Sequence, residues 1–347
     1  MAADGGAFLG RRPLRIALAC VCMLVAAWGV LALWFQLAAG TAIFFGALLG
    51  GSGTSAAWTL LRRRQDRARY KALSVFALAA LLLMLWWQTI TPSHERVWAD
   101  DVARLMESRI EGDRVTLRNV RNFDWRGETD YTPRWETRSY DLRGLKSADL
   151  ILSYWMGPHI AHTLVSFGFD DGRRLVFSLE IRKEGHESFS AVGGFFRRFE
   201  QVIIAADERD IVKTRTNARG EDVYLYPVRI TRPQLRSLFL AYLEQASQLR
   251  QAPDFYNTMT SNCTTIIFDL ARKIAPGLPL DYRLLLSGHF AEYAYEQGAL
   301  ASRLPYPRLQ ALGHINARAQ AADGAGSAAF SQAIRAGIPG VVAREPR

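Results

Sequence analysis

Tyr256-Asn257-Thr258-Met259-Thr260-Ser261-Asn262-Cys263-Thr264-Thr265 closes a polar stretch, and Ile266, Ile267, Phe268, Leu270 and Ala271 follow at once in an apolar helical pattern. The thiol of Cys263 therefore falls in the first turn of a predicted helix. Unpaired backbone N–H groups and the helix dipole favour a thiolate over a thiol at such a place. The only other cysteines, Cys20 and Cys22, lie in an apolar run near the N-terminus, so Cys263 has no disulfide partner within its own domain. A lone thiol in a non-cytosolic domain is either an inert buried residue or a nucleophile. The helix-start position and a suitable histidine upstream favour the nucleophile.

That histidine is one of six: His94, His159, His162, His186, His289 and His314. His162 stands in Ile160-Ala161-His162-Thr163-Leu164-Val165-Ser166-Phe167, a run rich in β-branched and aromatic residues that predicts a strand. Alternation puts Ile160, His162, Leu164 and Ser166 on one face. A strand holds an imidazole rigidly, as a general base requires. The next run, Leu175 to Ile181, carries Ser178 and Glu180 on one face. Glu180 is placed to orient the imidazole and fix its tautomer. The plainer alternatives are a core histidine with a satisfied hydrogen bond, and a Glu180 paired with Arg182 or facing solvent. His159 and His162, three apart on a strand, point to opposite faces with no further ligand set nearby, so no metal and no cofactor is expected.

The compartment follows from topology. Three uncharged apolar stretches open the chain, at about 16–37, 40–61 and 72–90. Each approaches the roughly 20 residues that cross a hydrocarbon core. Trp86 and Trp87 read as interfacial anchors near the end of the third. Arg11, Arg12 and Arg15 precede the first stretch, and Arg62, Arg63, Arg64, Arg67, Arg69 and Lys71 fill the loop between the second and third. The positive-inside rule places the N-terminus and this loop in the cytoplasm. Three crossings (residues 1–91) then leave residues 92–347 on the outer face. Residues 1–71 hold nine Lys and Arg against two Asp and Glu, +7, and the remainder 34 against 31, +3. Most of the net +10 therefore orients helices and is not a nucleic-acid footprint.

The remaining roughly 255 residues are enough for one large core. An amphipathic helix is expected over 92–109, with Val97, Val102, Leu105 and Met106 on its apolar side. Strands are expected at 114–123, 134–142, 149–155, 160–169, 174–182, 201–205 and 223–228. Asp170-Asp171-Gly172 marks a hairpin. Thr231 reads as the N-cap of a helix over 231–250. After 281 the pattern is helical or irregular, with a loose connection at 321–329 and a last helix at 330–336. The fold class is α+β.

These residues resemble the family named for the N-terminal periplasmic domain of Lnb, the lipoprotein N-acyltransferase of some Gram-positive bacteria. The resembling stretches are Arg121-Asn122-Phe123, Ala161 to Phe167, Glu208-Arg209-Asp210, Tyr224-Leu225-Tyr226-Pro227, Tyr256 to Thr265, and His314-Ile315-Asn316-Ala317-Arg318. The Asn-Cys-Thr-Thr element and the strand histidine are the specific parts. The resemblance implies a circularly permuted papain-like fold, similar to NlpC-type hydrolases and lecithin:retinol acyltransferase. It implies Cys263 as nucleophile, His162 as base and Glu180 as third member. Where the family often has glycine before the histidine, this chain has Ala161. It further implies a bacterial inner-membrane protein whose C-terminal domain is periplasmic and whose substrate is a lipid or lipoprotein in the membrane. Acyl transfer would run through a thioester on Cys263, with backbone N–H groups at the helix start holding the oxyanion. Two alternatives stay open: an envelope cysteine amidase or peptidase of the same fold, and a non-catalytic envelope scaffold with Cys263 and His162 far apart or capped.

Overall fold

The computed structural model describes residues 5–62 and 67–340, with side chains from Arg12 onward. Arg63 and Arg64 of the basic loop, the Arg11 side chain and residues 341–347 lie outside the described residues. The chain divides into two compact units, Met1–Pro92 with Ser190–Arg198, and Ser93–Phe189 with Phe199–Arg347.

The first unit is built on three helices, α1 (Gly5–Gln36), α2 (Ala39–Leu61) and α3 (Arg67–Thr89). Arg12–Gln36 and Arg67–Thr89 are long and apolar enough to cross a membrane. The sequence predicts three such stretches. α2 is a helix of 23 residues, but Gly50-Gly51-Ser52-Gly53-Thr54-Ser55 dilutes its apolar character, so two candidate spans are clear and not three. Those small residues serve packing. A Cβ at Gly53 would lie 2.6 Å from the Ala26 side chain and 3.1 Å from Phe76, which is how small residues let helices approach. Nothing in the sequence pattern assigns 190–198 to the helices, yet Phe196 is buried against Trp28, Phe35 and Trp87. Gln36 donates to the carbonyls of Phe196 (2.6 Å) and Arg197 (2.9 Å). Arg197 donates to the carbonyls of Trp87 (2.8 Å) and Ile90 (3.2 Å), the favourable place for a cation at the end of α3.

The second unit is a mixed sheet with helices on both faces. Its strands are β1 (Glu107–Glu111), β2 (Arg114–Arg121), β3 (Asp124–Trp125), β4 (Tyr131–Thr132), β5 (Trp135–Asp141), β6 (Leu145–Tyr154), β7 (Ala161–Phe169), β8 (Arg174–Arg182), β9 (Glu200–Asp207) and β10 (Asp222–Pro227). The helices are α4 (Glu208–Lys213), α5 (Arg232–Gln251), α6 (Cys263–Ile274), α7 (Phe290–Glu296), α8 (Tyr306–Gly313), α9 (Asn316–Ala321) and α10 (Ser327–Ala333). The main sheet runs β1-β2-β9-β8-β7-β6-β10, with β5 also on β2; β3 and β4 form a separate small hairpin. β2 and β9 pair in parallel and the rest antiparallel. One face buries Val165, Phe167, Phe177 and Ile203 under Phe239, Tyr242, Ile266, Phe268 and Phe290. The other buries Ile151, Leu164, Val176 and Ile204 under Ile211, Val212, Ile315, Phe330 and Ile334. The strand predictions hold to within a few residues, and Gly172, at φ +86°, turns the β7–β8 hairpin as its sequence requires.

The helix expected over 92–109 does not form. The segment is an extended strap with one short turn at Asp100–Val102. Ala99 N–H donates to the Lys183 carbonyl and Gly185 N–H to that of Val97, so it pairs with the end of β8. Arg182 donates to the carbonyls of Val102 (3.1 Å) and Ala103 (2.7 Å) and stacks on Trp98. Tertiary partners for its backbone override the helical period. The last helix also starts earlier than expected, at Ser327, and α9 ends at Ala321.

Candidate active site

α6 begins where the sequence places it. Asn262 is the N-cap: its side-chain oxygen accepts from the N–H groups of Thr264 and Thr265, both at 2.9 Å. Thr265 Oγ1 accepts from Asn262 N–H at 2.8 Å, completing a reciprocal cap. The cap uses two of the first-turn N–H groups expected to hold an oxyanion, and leaves that of Cys263 itself. The thiol is buried, and Thr163 of β7 meets α6 through a 3.2 Å contact between its hydroxyl and that of Thr264.

His162 reaches the thiol because the sheet opens there. The β7–β8 ladder ends at Leu164↔Ser178. β7 nevertheless continues to Ala161 on β6, and β8 to Arg182 on β9. Thr163 and Leu179 would be the next facing pair and His162 and Glu180 the one after, and the ladder has stopped before both. The Thr163 backbone N–H acts on the Cys263 sulfur from β7 and favours its thiolate.

The imidazole is fixed from the β8 side. His162 Nε2 lies 2.7 Å from Ser178 Oγ and 3.2 Å from Glu180 Oε1. Ser178 gives its own proton to Glu180 at 2.7 Å, so Nε2 is the donor to Ser178. Nδ1 is then the nitrogen left for the thiol. Glu180 does not pair with Arg182; its partner is Arg215, at 2.8 Å. Burial alone would push the His162 pKa down. The Glu180 carboxylate and Cys263 outweigh burial and the repulsion of Arg215, and hold it up at about 9. Burial pushes the Cys263 thiol up, but the charge of His162, its hydrogen bond, the Thr163 N–H and the Thr264 hydroxyl more than offset this, and the thiol sits below its ordinary value. Glu180 is likewise opposed by burial and still held well below the usual carboxylate range by His162, Arg215 and its hydrogen bonds. Both shifts run in the direction of a thiolate–imidazolium pair.

Loops 155–160, 183–189, 252–262 and 282–289 lie at the end of the sheet where β7 starts and β8 ends. Gly288 N–H donates to the His159 carbonyl (3.0 Å) and Ser287 Oγ accepts from Ala161 N–H (2.9 Å), which ties 282–289 to the start of β7. Only glycine fits at 288, since a Cβ would collide with the Pro158 carbonyl. Gln201 N–H donates to the Asp254 carbonyl (2.9 Å), which ties the loop before Cys263 to the start of β9. These loops expose Trp155, Met156, Phe189, Met259, Leu285 and Leu286, and the Trp155 and Phe189 rings meet edge-on at 4.7 Å.

The other histidines are placed elsewhere. His159 Nδ1 lies 2.8 Å from His289 Nε2, and His314 is 3.3 Å from Asp222. Among the described residues no group of three or more His, Cys, Asp or Glu side chains is placed to hold a metal. A polar cavity of about 400 Å³ is lined by Asp124, Arg126, Arg209, Lys213, Asn217 and Asp323. Arg209 pairs with Asp124 (3.0 Å) and Lys213 with Asp323 (3.1 Å), so these cations are already balanced. Arg215 is the site residue that sequence reasoning missed. No local pattern marks it, because its role comes from a contact across 35 positions of chain. Glu208 and Asp210, by contrast, turn out to be structural. Asp210 accepts from Arg121, Phe123 N–H and Trp125, and Glu208 from Ser166 and Arg335.

A thiol at a capped helix start and a strand imidazole in a mixed α+β domain, joined to apolar helices long enough to cross a membrane, define the class: a thiol-bearing domain attached to candidate membrane spans. Comparison with known families gives a match over part of the chain. Residues 131–288 match the model of the Lnb N-terminal periplasmic domain, a stretch that holds His162, Glu180, Arg215 and Cys263. A periplasmic-domain family together with two apolar N-terminal helices fits a membrane-anchored protein with a periplasmic domain. No curated protein and no solved structure matches the chain.

Proposed function

We propose that the protein is a membrane-anchored, thiol-dependent acyltransferase whose fold is a permuted papain-like domain. The observation that carries this reading is the Cys263 thiol in the opening of the β7–β8 ladder, with an imidazole beside it whose other nitrogen is already held by Ser178 and Glu180. The order of strand histidine before helix cysteine agrees with the permuted arrangement, and positive-inside logic with all three helices as spans supports an N-terminus in the cytoplasm and a domain in the periplasm.

Cys263 sulfur attacks the carbonyl carbon of an acyl ester, and the new C–S bond forms a tetrahedral intermediate whose oxyanion the Cys263 N–H is placed to meet. The C–O bond to the alcohol breaks, and imidazolium His162 gives its proton to the departing alkoxide. Neutral His162 then takes a proton from an incoming amine as that amine attacks the thioester. The C–S bond breaks, an amide is released, and the thiolate–imidazolium pair is restored. Glu180 and Ser178 hold the ring through both steps.

The exposed aromatic, Met and Leu side chains on the loops around the site favour an acyl chain as the bound group over a polar peptide. The direct test is to incubate the detergent-solubilised chain with a diacylated lipopeptide. A hydroxylamine-labile adduct of one acyl chain on the Cys263 peptide, detected by mass spectrometry, is expected. Cleavage of a peptide amide without such an adduct would turn the reading to an amidase.

A further inference from the structure

α4 does not end as an ordinary helix. It runs into a π-helical turn, Thr214–Ala218, marked by the Arg219 N–H bond to the Thr214 carbonyl at 2.9 Å. Such turns carry an extra residue, are rare, and concentrate at functional sites. Side chains from the turn bond the carbonyls of α4: Thr214 Oγ1 that of Asp210 (2.7 Å), Arg215 Nη1 that of Ile211 (2.9 Å) and Thr216 Oγ1 that of Val212 (3.1 Å). Arg215 is thereby pinned by one arm of its guanidinium while the other reaches Glu180 at 2.8 Å. Its side chain is 5% exposed, and its Nε is buried with no acceptor. A buried cation with an unsatisfied donor is costly unless the remaining contact repays it in structure or function.

Resting on the reading of Cys263 as a nucleophile, we propose that Arg215 is a positioning residue for the thiol. It acts through Glu180 and Ser178 to hold His162 with Nδ1 towards Cys263, and the π-helical turn is what carries its guanidinium to Glu180. The ring donates to Ser178 Oγ at 2.7 Å, and that chain runs on to Glu180 Oε1, which accepts from Ser178 at 2.7 Å and Arg215 at 2.8 Å and lies 3.2 Å from His162 Nε2. One fixed carboxylate oxygen thus sets the ring, and Arg215 fixes that oxygen. The groups that act on this centre are few. Ser178 and Glu180 face it from β8, Cys263 from α6 and Arg215 from the π turn. Tyr256, in the loop before α6, feels Cys263 and Glu180. Arg121, paired with Asp210, adds a weaker charge towards Glu180. On β6, Ser153 is the register neighbour of His162 and is bonded to Glu221. None of these others contacts the Glu180 oxygen that Arg215 holds.

The test uses the full chain in detergent, iodoacetamide as probe, and mass spectrometry of the Cys263 peptide to give alkylation rate against pH. In wild type the rate should stay high well below the pH at which a free thiol stops reacting. Arg215→Met should move that acid limb upward and slow alkylation at pH 6 by about tenfold, the effect of one pKa unit on the thiolate fraction. Arg215→Lys, which keeps the charge and loses the fork, should fall between. Glu180→Gln and Glu180→Gln/Arg215→Met should give the same profile as each other, because Arg215 acts through Glu180. The double variant also removes both members of the ion pair, so the comparison survives if Arg215→Met alone folds poorly. A limb in Arg215→Met that stays in place or moves downward would overturn the proposal, as would a further shift on adding Arg215→Met to Glu180→Gln. Wild type that alkylates no faster than a free thiol at pH 6 would instead remove the nucleophile itself, a failure of the underlying reading that the variants do not share.

Discussion

Two polar clusters, one buried and one half-buried, lie on the same face of the sheet, four residues apart along β7, and they use nearly the same groups. Around Ser166, Arg335 donates to Asp149 (3.0 and 2.7 Å) and to both oxygens of Glu208 (2.6 Å each), and Ser166 donates to Glu208. Around His162 the hydroxyl is Ser178, the carboxylate Glu180 and the guanidinium Arg215. At Ser166 the β7–β8 ladder is intact, paired through Ser166↔Val176, and Arg335, Asp149 and Glu208 are each almost wholly buried. At His162 the ladder has stopped, and the cluster ends in a ring with one nitrogen turned to a thiol. The same hydroxyl, carboxylate and guanidinium make a lock in closed sheet and, on the function proposed above, hold the base for a nucleophile where the ladder stops. Which one results is decided by backbone pairing and by whether a titratable ring terminates the chain of bonds.

The largest effects are expected at the thiol and the imidazole. Cys263→Ser should abolish acyl transfer, because a hydroxyl is a far weaker nucleophile at neutral pH, and should leave the melting temperature close to wild type. A melting temperature that collapses while transfer persists would make Cys263 core filler. His162→Ala should lower the transfer rate by about 10²–10⁴-fold, the usual span for loss of a general acid–base. The same variant should lose fast alkylation at pH 6–7. The sign follows from the lowered Cys263 pKa: labelling of wild type should fall only as pH drops through that lowered value, and its advantage over a free thiol should vanish above about pH 8.5.

At the locked end the order of effects reverses. Arg335→Met leaves buried Glu208 without its paired cation, while Asp149 keeps Arg174, and should cost about 3–5 kcal/mol in chemical denaturation. Below the unfolding transition its Cys263 alkylation profile should match wild type. A shifted profile would mean that the two clusters are coupled through β7. The smallest expected effect is that of Asn262→Ala, which removes the cap of α6 for about 1 kcal/mol and frees the Thr264 and Thr265 N–H groups. Alkylation at pH 6 should change little if the imidazole, and not the helix start, governs the thiol.

Much of this was legible in the chain and some was not. Local signals carried far: the apolar pattern from Ile266 to Ala271 marked the helix that starts at Cys263, Asp170-Asp171-Gly172 the hairpin, Thr231 the cap of α5, and alternation in 160–169 and 174–182 put His162 and Glu180 on one face. Three things were hidden because they depend on distant partners. The strap before β1 has a helical period, but Arg182 and β8 claim its carbonyls. Arg215 looks like any surface arginine until the π turn delivers it to Glu180. The end of the β7–β8 ladder, which lets the imidazole meet the thiol, leaves no mark on the residues that form it.

The clustering of Ser190–Arg198 with α1 and α3 has a consequence for how the protein is made. Its helical unit is discontinuous, with the last piece encoded about a hundred residues after Pro92. On the ribosome the apolar helices emerge first, while Gln36 and the terminal carbonyls of α3 wait for Phe196 and Arg197. Closing so long a loop is slow compared with helix formation. A version cut to begin at Ser93 would release Phe196 from its aromatic neighbours and leave an exposed apolar turn between β8 and β9, so a soluble form calls for that turn to be rebuilt along with the removal of the helices.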